Sequence, residues 1–212
     1  MTGIEPHLRV SSEGFTRHWL SRKLQIMRIS TPLALLLTMA LFLPLVSVEA
    51  DQNDVRLNGL FDALVQTDDT SMLSEVESRI WTIWHEHPNQ NVQSLMVTGI
   101  EYMNRQYTAE AMVIFNKIIQ QYPDYAEAWN KRATLHYLLG NLQASISDID
   151  KTLALEPRHF GALSGLGLVY IQQENLPKAR EAFENLLKVH PNSSGAKANL
   201  KMVNEAFRLN FI

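Results

Sequence analysis

The chain has 212 residues, of which 46% are hydrophobic and 19% charged, and its formal net charge at pH 7 is −3. This composition is ordinary for a globular protein, and the length is sufficient for one domain with a sizeable core. The chain contains no cysteine, which excludes disulfides, thiolate metal sites, thiol catalysis and a lipidated cysteine.

The first 50 residues have the order of charge and hydrophobicity typical of a secretory signal. Basic residues between positions 22 and 28 precede an uncharged stretch over residues 29–48, and small residues then lead to a cleavage point after Ala50. We therefore predict that residues 1–50 are an N-terminal extension and signal peptide, and that the rest is exported to a bacterial periplasm. The alternative is an uncleaved inner-membrane anchor at residues 29–48, because 20 uncharged residues can cross a bilayer.

The part of the chain beyond Ala50 is acidic. It carries 14 Lys and Arg residues against 19 Asp and Glu residues, which gives a net charge near −5. Phosphate binding depends on positive charge, and no basic run compensates for this balance. The sequence therefore argues against nucleic acid as a partner.

Two helices are predicted at residues 55–66 and 71–86, ahead of Pro88. Each has an apolar stripe at helical spacing, and the second stripe contains Trp81 and Trp84. We interpret residues 55–91 as a degenerate repeat-like helix pair whose tryptophans pack against the first full repeat. The alternative is that the two indoles anchor a partner.

A repeat of 34 residues follows. Pro123, Pro157 and Pro191 mark its period, and a proline ends a helix because it has no N–H to donate. Three further columns keep the same spacing: Gly99, Ala133 and Gly167; Ala111, Ser145 and Ala179; Phe115, Ile149 and Phe183. A small residue where two helices cross lets their backbones approach, and a large residue one turn away fills the space beside the contact.

The last unit carries Gly167, Tyr170, Ala179, Phe183 and Pro191 and closely resembles the tetratricopeptide repeat (TPR), which also occurs in exported bacterial proteins. The resemblance implies an all-α fold, a right-handed α-solenoid of antiparallel helix pairs with a C-terminal capping helix. The predicted units are TPR 1 at 92–125, TPR 2 at 126–159, TPR 3 at 160–193 and the capping helix at 194–208.

The middle unit departs from the family pattern. Arg132 stands where a large apolar residue is usual, and we expect it to form an ion pair with Asp148 or Glu156. The alternative is that Arg132, together with Asn130 and Lys131, offers a polar contact to a partner. Asp124, followed three residues later by Glu127, predicts a capping box at the start of this unit.

The resemblance implies protein binding rather than catalysis, with the first helix of each pair lining a concave groove. The partner would be a peptide or an amphipathic helix, held by apolar and hydrogen-bonding groups. The candidate groove residues are Met96, Ile100, Met103, Asn130, Lys131, Thr134, Tyr137, Gly161, Ser164, Gly165 and Leu168.

Two features of these groove positions bear on the ligand. Some TPR proteins hold a C-terminal carboxylate with several cationic and amide side chains, but only Lys131 could supply charge in the corresponding columns. A glycine inside a helix lowers stability by about 1 kcal/mol relative to alanine, so the presence of Gly161 and Gly165 in a predicted helix requires an explanation. Either a neighbouring helix packs closely there, or the backbone of a ligand approaches.

Other function classes find little support. His85 and His87 are two residues apart, which is not a metal-ligand spacing on a helix, and we expect both to face solvent. We predict no catalytic site, metal, cofactor or small-molecule substrate.

The leading hypothesis is an exported scaffold or adaptor that binds a partner protein in its groove. The alternative is a structural module that stacks with other copies and leaves the groove empty.

Overall fold

The computed structural model describes residues 51–209, and the predicted signal segment lies outside this range. The described residues form helices without any strand, so the all-α prediction is confirmed. The helices are α1 (Arg56–Gln66), α2 (Thr70–His85), α3 (Gln90–Asn104), α4 (Thr108–Gln121), α5 (Ala126–Leu138), α6 (Leu142–Leu155), α7 (Phe160–Gln172), α8 (Leu176–Val189) and α9 (Ser194–Leu209). Within residues 51–209, no helix combines the length and hydrophobicity needed to cross a membrane.

The three repeats are hairpins that stack in chain order. Helices α3 and α4, α5 and α6, and α7 and α8 pair, each hairpin contacts the next, and α9 packs on α8. This arrangement is an α-solenoid. The turn inside each hairpin contains one residue with left-handed backbone conformation, at Gln106, Gly140 and Glu174, which are 34 residues apart. Such a residue lets the chain leave one helix and enter the next, and only the middle repeat uses glycine for it.

The crossing of the two helices in each hairpin depends on the paired columns of small and large residues. A Cβ atom added to Gly99 would lie 2.7 Å from Cζ of Phe115, and one added to Gly167 would lie 2.6 Å from Cε1 of Phe183. Both phenylalanines are fully buried. Each ring therefore lies where the side chain of any larger residue would be, as the column pattern predicted.

The middle repeat solves the same packing problem with different residues. Here Ala133 faces the smaller, non-aromatic side chain of Ile149, and both are buried in one cluster. Arg132 forms the predicted ion pair with Asp148, with Nε and Nη2 each 2.7 Å from a carboxylate oxygen. Its guanidinium also lies 4.8 Å from the ring centre of Trp129. The other candidate, Glu156, pairs with Arg158 instead.

The predicted capping box is wrong. The N-cap of α5 is Tyr125, no side chain of the N-cap residue accepts a helix N–H, and the Ala126 N–H donates to Oε1 of Gln52 at 3.2 Å. Glu127 is buried and makes other contacts, so its carboxylate is unavailable for a local cap. At the start of α9, Oγ of Ser193 accepts the Ala196 N–H.

The apolar face of the α1–α2 hairpin does not share a core with the first repeat, and the rings of Trp81 and Trp84 pack on His159 and Phe160 rather than on that repeat as predicted. Its apolar side chains share one core with the third repeat and α9, in which Leu57 and Ile80 belong to the same cluster as Phe160 and Phe183. The core of the first repeat is separate. The hairpin therefore reaches past the neighbouring repeat to the far end of the stack.

Two alanine substitutions test the role of the crossing glycines. Gly167→Ala should lower the free energy of unfolding by about 1–3 kcal/mol, because the methyl group overlaps the buried ring of Phe183. Gly165→Ala is the matched control, since its Cβ would lie 3.7 Å from Ile149, an ordinary contact. It should raise the free energy of unfolding by up to about 1 kcal/mol through helix propensity. Urea denaturation measures both, and shifts of the same sign would contradict this account.

Candidate binding groove

Helix α2 crosses the turns that follow the three repeats, at residues 122–125, 156–159 and 190–193. The first two turns lead into the next repeat, and the third leads into α9. His87, just after α2, packs against Tyr122 and Tyr125 in the first turn. Trp81 and Trp84, in the last turns of α2, contact His159 in the second turn. Glu77, nearer the start of α2, pairs with His190 in the third turn. Helix α2 therefore contacts the three turns in reverse order and links the repeats to one another.

Aromatic packing dominates the contact with the second turn. The ring of Trp84 stacks on His159 with centroids 4.0 Å apart and an interplanar angle of 10°. Trp81 meets the edges of His159 and Phe160 at 5.6 and 5.3 Å. Trp84 and His159 are almost completely buried. The backbone carbonyl of Trp84 also accepts the Tyr125 hydroxyl at 3.0 Å, which ties the first turn to the same helix.

The orientation of the His159 ring is fixed by hydrogen bonds. Its Nδ1 accepts the Ala162 N–H at 3.1 Å, so His159 caps α7. The proton must then lie on Nε2, which donates to Oε2 of Glu127 at 2.9 Å. His159 is therefore held as the neutral tautomer that can bond to both groups.

Glu127 is the centre of a buried polar cluster in which α2, α5 and the second turn meet. Its side chain is 1% exposed. Oε2 accepts hydrogen bonds from His159 and from Asn130 Nδ2, the latter at 3.0 Å. Oε1 lies 2.9 Å from Lys131 Nζ and 3.0 Å from His85 Nε2. The Oε1 contacts have ion-pair distances but lack the angles of hydrogen bonds.

The cluster keeps this carboxylate ionised. Burial alone would raise the pKa of Glu127, but the charge of Lys131 and the contacts with His159 and His85 hold it well below its ordinary value. The prediction that His85 and His87 face solvent is confirmed only in part, because both residues are half-buried. His85 reaches Glu127, and burial lowers the pKa of His87.

A cavity of about 370 Å³ lies between α5 and α7, with α6 below and Trp81 at one side. Its volume is at the lower end of the range of about 300–1,000 Å³ for ligand pockets. Eight candidate groove residues line it: Asn130, Lys131, Thr134, Tyr137, Gly161, Ser164, Gly165 and Leu168. The structure thus brings together every candidate of the second and third repeats.

The three candidates of the first repeat lie elsewhere. Met96 is fully buried, and Ile100 and Met103 are partly buried against the first-repeat core. Met96 therefore presents no surface to a ligand. None of the three lines the cavity.

The two groove glycines have different surroundings. A Cβ on Gly161 would lie 2.9 Å from Cζ2 of Trp81, so an intramolecular aromatic ring needs this glycine. A Cβ on Gly165 would meet only Ile149, at 3.7 Å. Packing therefore explains Gly161 and leaves Gly165 as open floor in the cavity.

Five residues that line the cavity were missed as groove residues from the sequence: Trp81, Ala133, Leu138, Ser145 and Ile149. Trp81 borders the cavity from outside the repeats, while Ser145 and Ile149 form part of its floor from α6. The aromatic pair at Trp81 and Trp84 was a visible signal, but it gave no indication of which repeat it would contact. Among residues 51–209, no group of His, Asp and Glu side chains is arranged to hold a metal ion.

The stability of the fold should depend on pH through Glu127. Its folded-state pKa lies below the ordinary value of 4.5, so ionisation stabilises the fold above about pH 4.5, and this stability is lost as the pH falls through the folded-state pKa. Glu127→Gln should therefore lower the free energy of unfolding by about 3 kcal/mol at pH 7 and by clearly less at pH 3. Urea denaturation at the two pH values measures this difference.

Exposed Glu184 provides the control for this experiment. Glu184→Gln should change the free energy of unfolding by less than about 0.5 kcal/mol at either pH. A cost of Glu127→Gln that is the same at pH 7 and pH 3 would refute an electrostatic role for the buried carboxylate.

Solved structures share the fold of this chain. The first TPR of Spaghetti (RPAP3), bound to the HSP90 peptide SRMEEVD, is 23% identical with a TM-score of 0.54, and the match covers 56% of this chain and 94% of that one. MamA is 24% identical with a TM-score of 0.54, over 73% of this chain and 82% of that one. At these identities, the likeness concerns the fold alone.

Sequence relatives agree with the fold. The tetratricopeptide repeat family model matches residues 160–193. A Protein SGT1 homolog of Bos taurus is 31% identical over 96 residues, but only 28% of its length is covered. A TPR repeat-containing protein of Rhizobium etli is 33% identical over 150 residues, which are 71% of this chain and 74% of the relative. The chain therefore belongs to the family of tetratricopeptide-repeat proteins.

Proposed function

We propose that the protein is an exported adaptor, and that it binds an uncharged, apolar segment of a partner protein in the cavity between α5 and α7. The observation that carries this proposal is the open floor at Gly165. Its glycine costs about 1 kcal/mol in a helix, and no neighbouring side chain requires it. A ligand that approaches the α7 backbone at this point would account for the glycine.

The walls of the cavity suit one or two large apolar side chains. Trp81, Ile149 and Leu168 provide apolar surface, and the hydroxyl groups of Thr134, Ser145 and Ser164 provide hydrogen-bonding partners for a ligand backbone. Leu138, which is 63% exposed, extends the apolar surface at the edge. This combination of apolar surface and hydroxyl groups suits a peptide that inserts an apolar side chain into the cavity while its backbone bonds to the hydroxyl groups.

Peptide binding is a known use of this fold. The first TPR of Spaghetti was solved bound to an HSP90 peptide, and the TPR2B domain of yeast Sti1 was solved in complex with pHsp70. These neighbours support a protein segment as the class of ligand. The identity of the segment must differ, because the cavity of this chain offers a single cationic side chain, Lys131, among the described residues that line it.

Filling the cavity should abolish partner binding without unfolding the protein. Gly165→Leu places a side chain on the cavity floor, where the Cβ has room, so the melting temperature should stay within a few degrees of wild type. Capture of partner protein from an envelope extract should fall at least tenfold, which is about 1.4 kcal/mol of binding free energy.

Gly59→Leu is the matched control. Gly59 lies on α1, away from the cavity, and nothing lies within 4 Å of its added Cβ. A protein retained by wild type and by Gly59→Leu but lost with Gly165→Leu supports the proposal. Equal retention by all three forms contradicts it. A concentration-dependent oligomer that retains nothing would favour the alternative of a stacking module.

Export has its own test. The proposal rests on the signal-like order of residues 1–50, so the mature protein should begin at Asp51. Mass spectrometry of the N-terminal peptide from cells measures this directly. A mature N-terminus upstream of Asp51 would contradict cleavage after Ala50 and favour the anchor at residues 29–48.

A further inference from the structure

The cavity is lined by a cationic side chain, Lys131, whose charge is already neutralised by a carboxylate of the protein. Among the described residues that line it, Lys131 alone is charged. Its Nζ lies 2.9 Å from Oε1 of Glu127 and 5.2 Å from the ring centre of Trp81. The lysine is therefore held between a carboxylate and an aromatic face.

The carboxylate that pairs with Lys131 is shielded from water. Glu127 is 1% exposed, whereas the Lys131 side chain is 17% exposed. A buried ion pair is screened little by solvent, and a carboxylate left without its cation would be costly. Lys131 consequently cannot turn towards a ligand without weakening the cluster around Glu127.

Contacts from three directions fix the position of Glu127. His85 approaches from α2, His159 from the second inter-repeat turn, and Asn130 from the next turn of α5. Glu127 therefore holds Lys131 and one further wall residue, Asn130, at the same time. The side of the cavity nearest α2 is organised by a residue that does not itself line it.

We propose that Glu127 determines the specificity of the groove by neutralising Lys131, so that the groove accepts uncharged segments and excludes acidic segments that end in a free carboxylate. This inference rests on the proposed function, namely that the cavity binds a peptide segment. The inference adds a statement about the ligand's charge, namely that the bound peptide segment is not acidic. Glu127 acts as a positioning residue through Lys131.

Two peptide probes test the inference by fluorescence anisotropy. The acidic probe is SRMEEVD with a free C-terminus, and the uncharged counterpart is N-acetylated SQMQQVN with a C-terminal amide. Glu127→Gln keeps the shape of the side chain and releases Lys131. It should bind the acidic probe about tenfold tighter than wild type, as one charge-assisted hydrogen bond would allow, and this gain should shrink at high salt.

The double variant Glu127→Gln/Lys131→Gln is the matched control. It should lose the gain, because the released cation is gone. Equal binding of the acidic probe by wild type and Glu127→Gln would overturn the inference, and so would a gain that persists in the double variant. The uncharged probe should show no salt-dependent gain with Glu127→Gln, because it has no carboxylate for the released lysine to bind.

A comparison within the wild type keeps the test decisive if Glu127→Gln is too unstable to assay. Because Lys131 is already neutralised by Glu127, wild type should bind the acidic probe more weakly than the uncharged probe. Equal or tighter binding of the acidic probe by wild type would overturn the inference.

The two proposals can fail separately. If an acidic-probe gain appears while Gly165→Leu captures partner normally, the specificity inference stands and the proposed function fails. If Gly165→Leu loses partner capture while no acidic-probe gain appears, the proposed function stands and the specificity inference fails.

Discussion

The stacking of Trp84 on His159 is the contact on which the arrangement of the site depends. His159 caps α7, donates to Glu127 and presents its face to α2, so one ring joins two repeats to the hairpin. Repeat proteins are usually stabilised only by contacts between neighbouring units. Here α2 adds contacts to the turns after all three repeats, which restrains the angle between repeats and therefore the width of the groove.

The architecture of the repeats was predictable because it is encoded periodically and locally. Each small residue at a helix crossing and its large partner lie 16 positions apart, as Gly99 and Phe115 do, and the pattern recurs every 34 residues. In the middle repeat, the larger Ala133 replaces glycine at the crossing, and the smaller Ile149 replaces phenylalanine as its partner, so the two changes in volume compensate each other. By contrast, Gln106 and Glu174 adopt left-handed conformation without the glycine that would have signalled it.

The position of the hairpin could not be predicted in the same way. Trp81 and Gly161 are 80 positions apart, and their contact has no counterpart in another repeat that a pattern could reveal. Glu127 illustrates the same limit at the site. Its spacing from Asp124 is that of a helix cap, yet burial beside Lys131 and His159 gives the carboxylate stronger partners than a backbone N–H. Tertiary contacts therefore overrode a local signal.

The contacts of α2 also determine which part of the groove remains for a partner. One column of the repeats, at Gln93, Glu127 and Gly161, contacts His87, His85 and Trp81 respectively. The first turn of each groove-lining helix is thus occupied by the chain itself. The open cavity extends from there towards the later turns of α5 and α7, as far as Leu138 and Leu168. If the proposed function is correct, a partner in this cavity would lie beside α2 and contact Trp81, a residue outside the repeats.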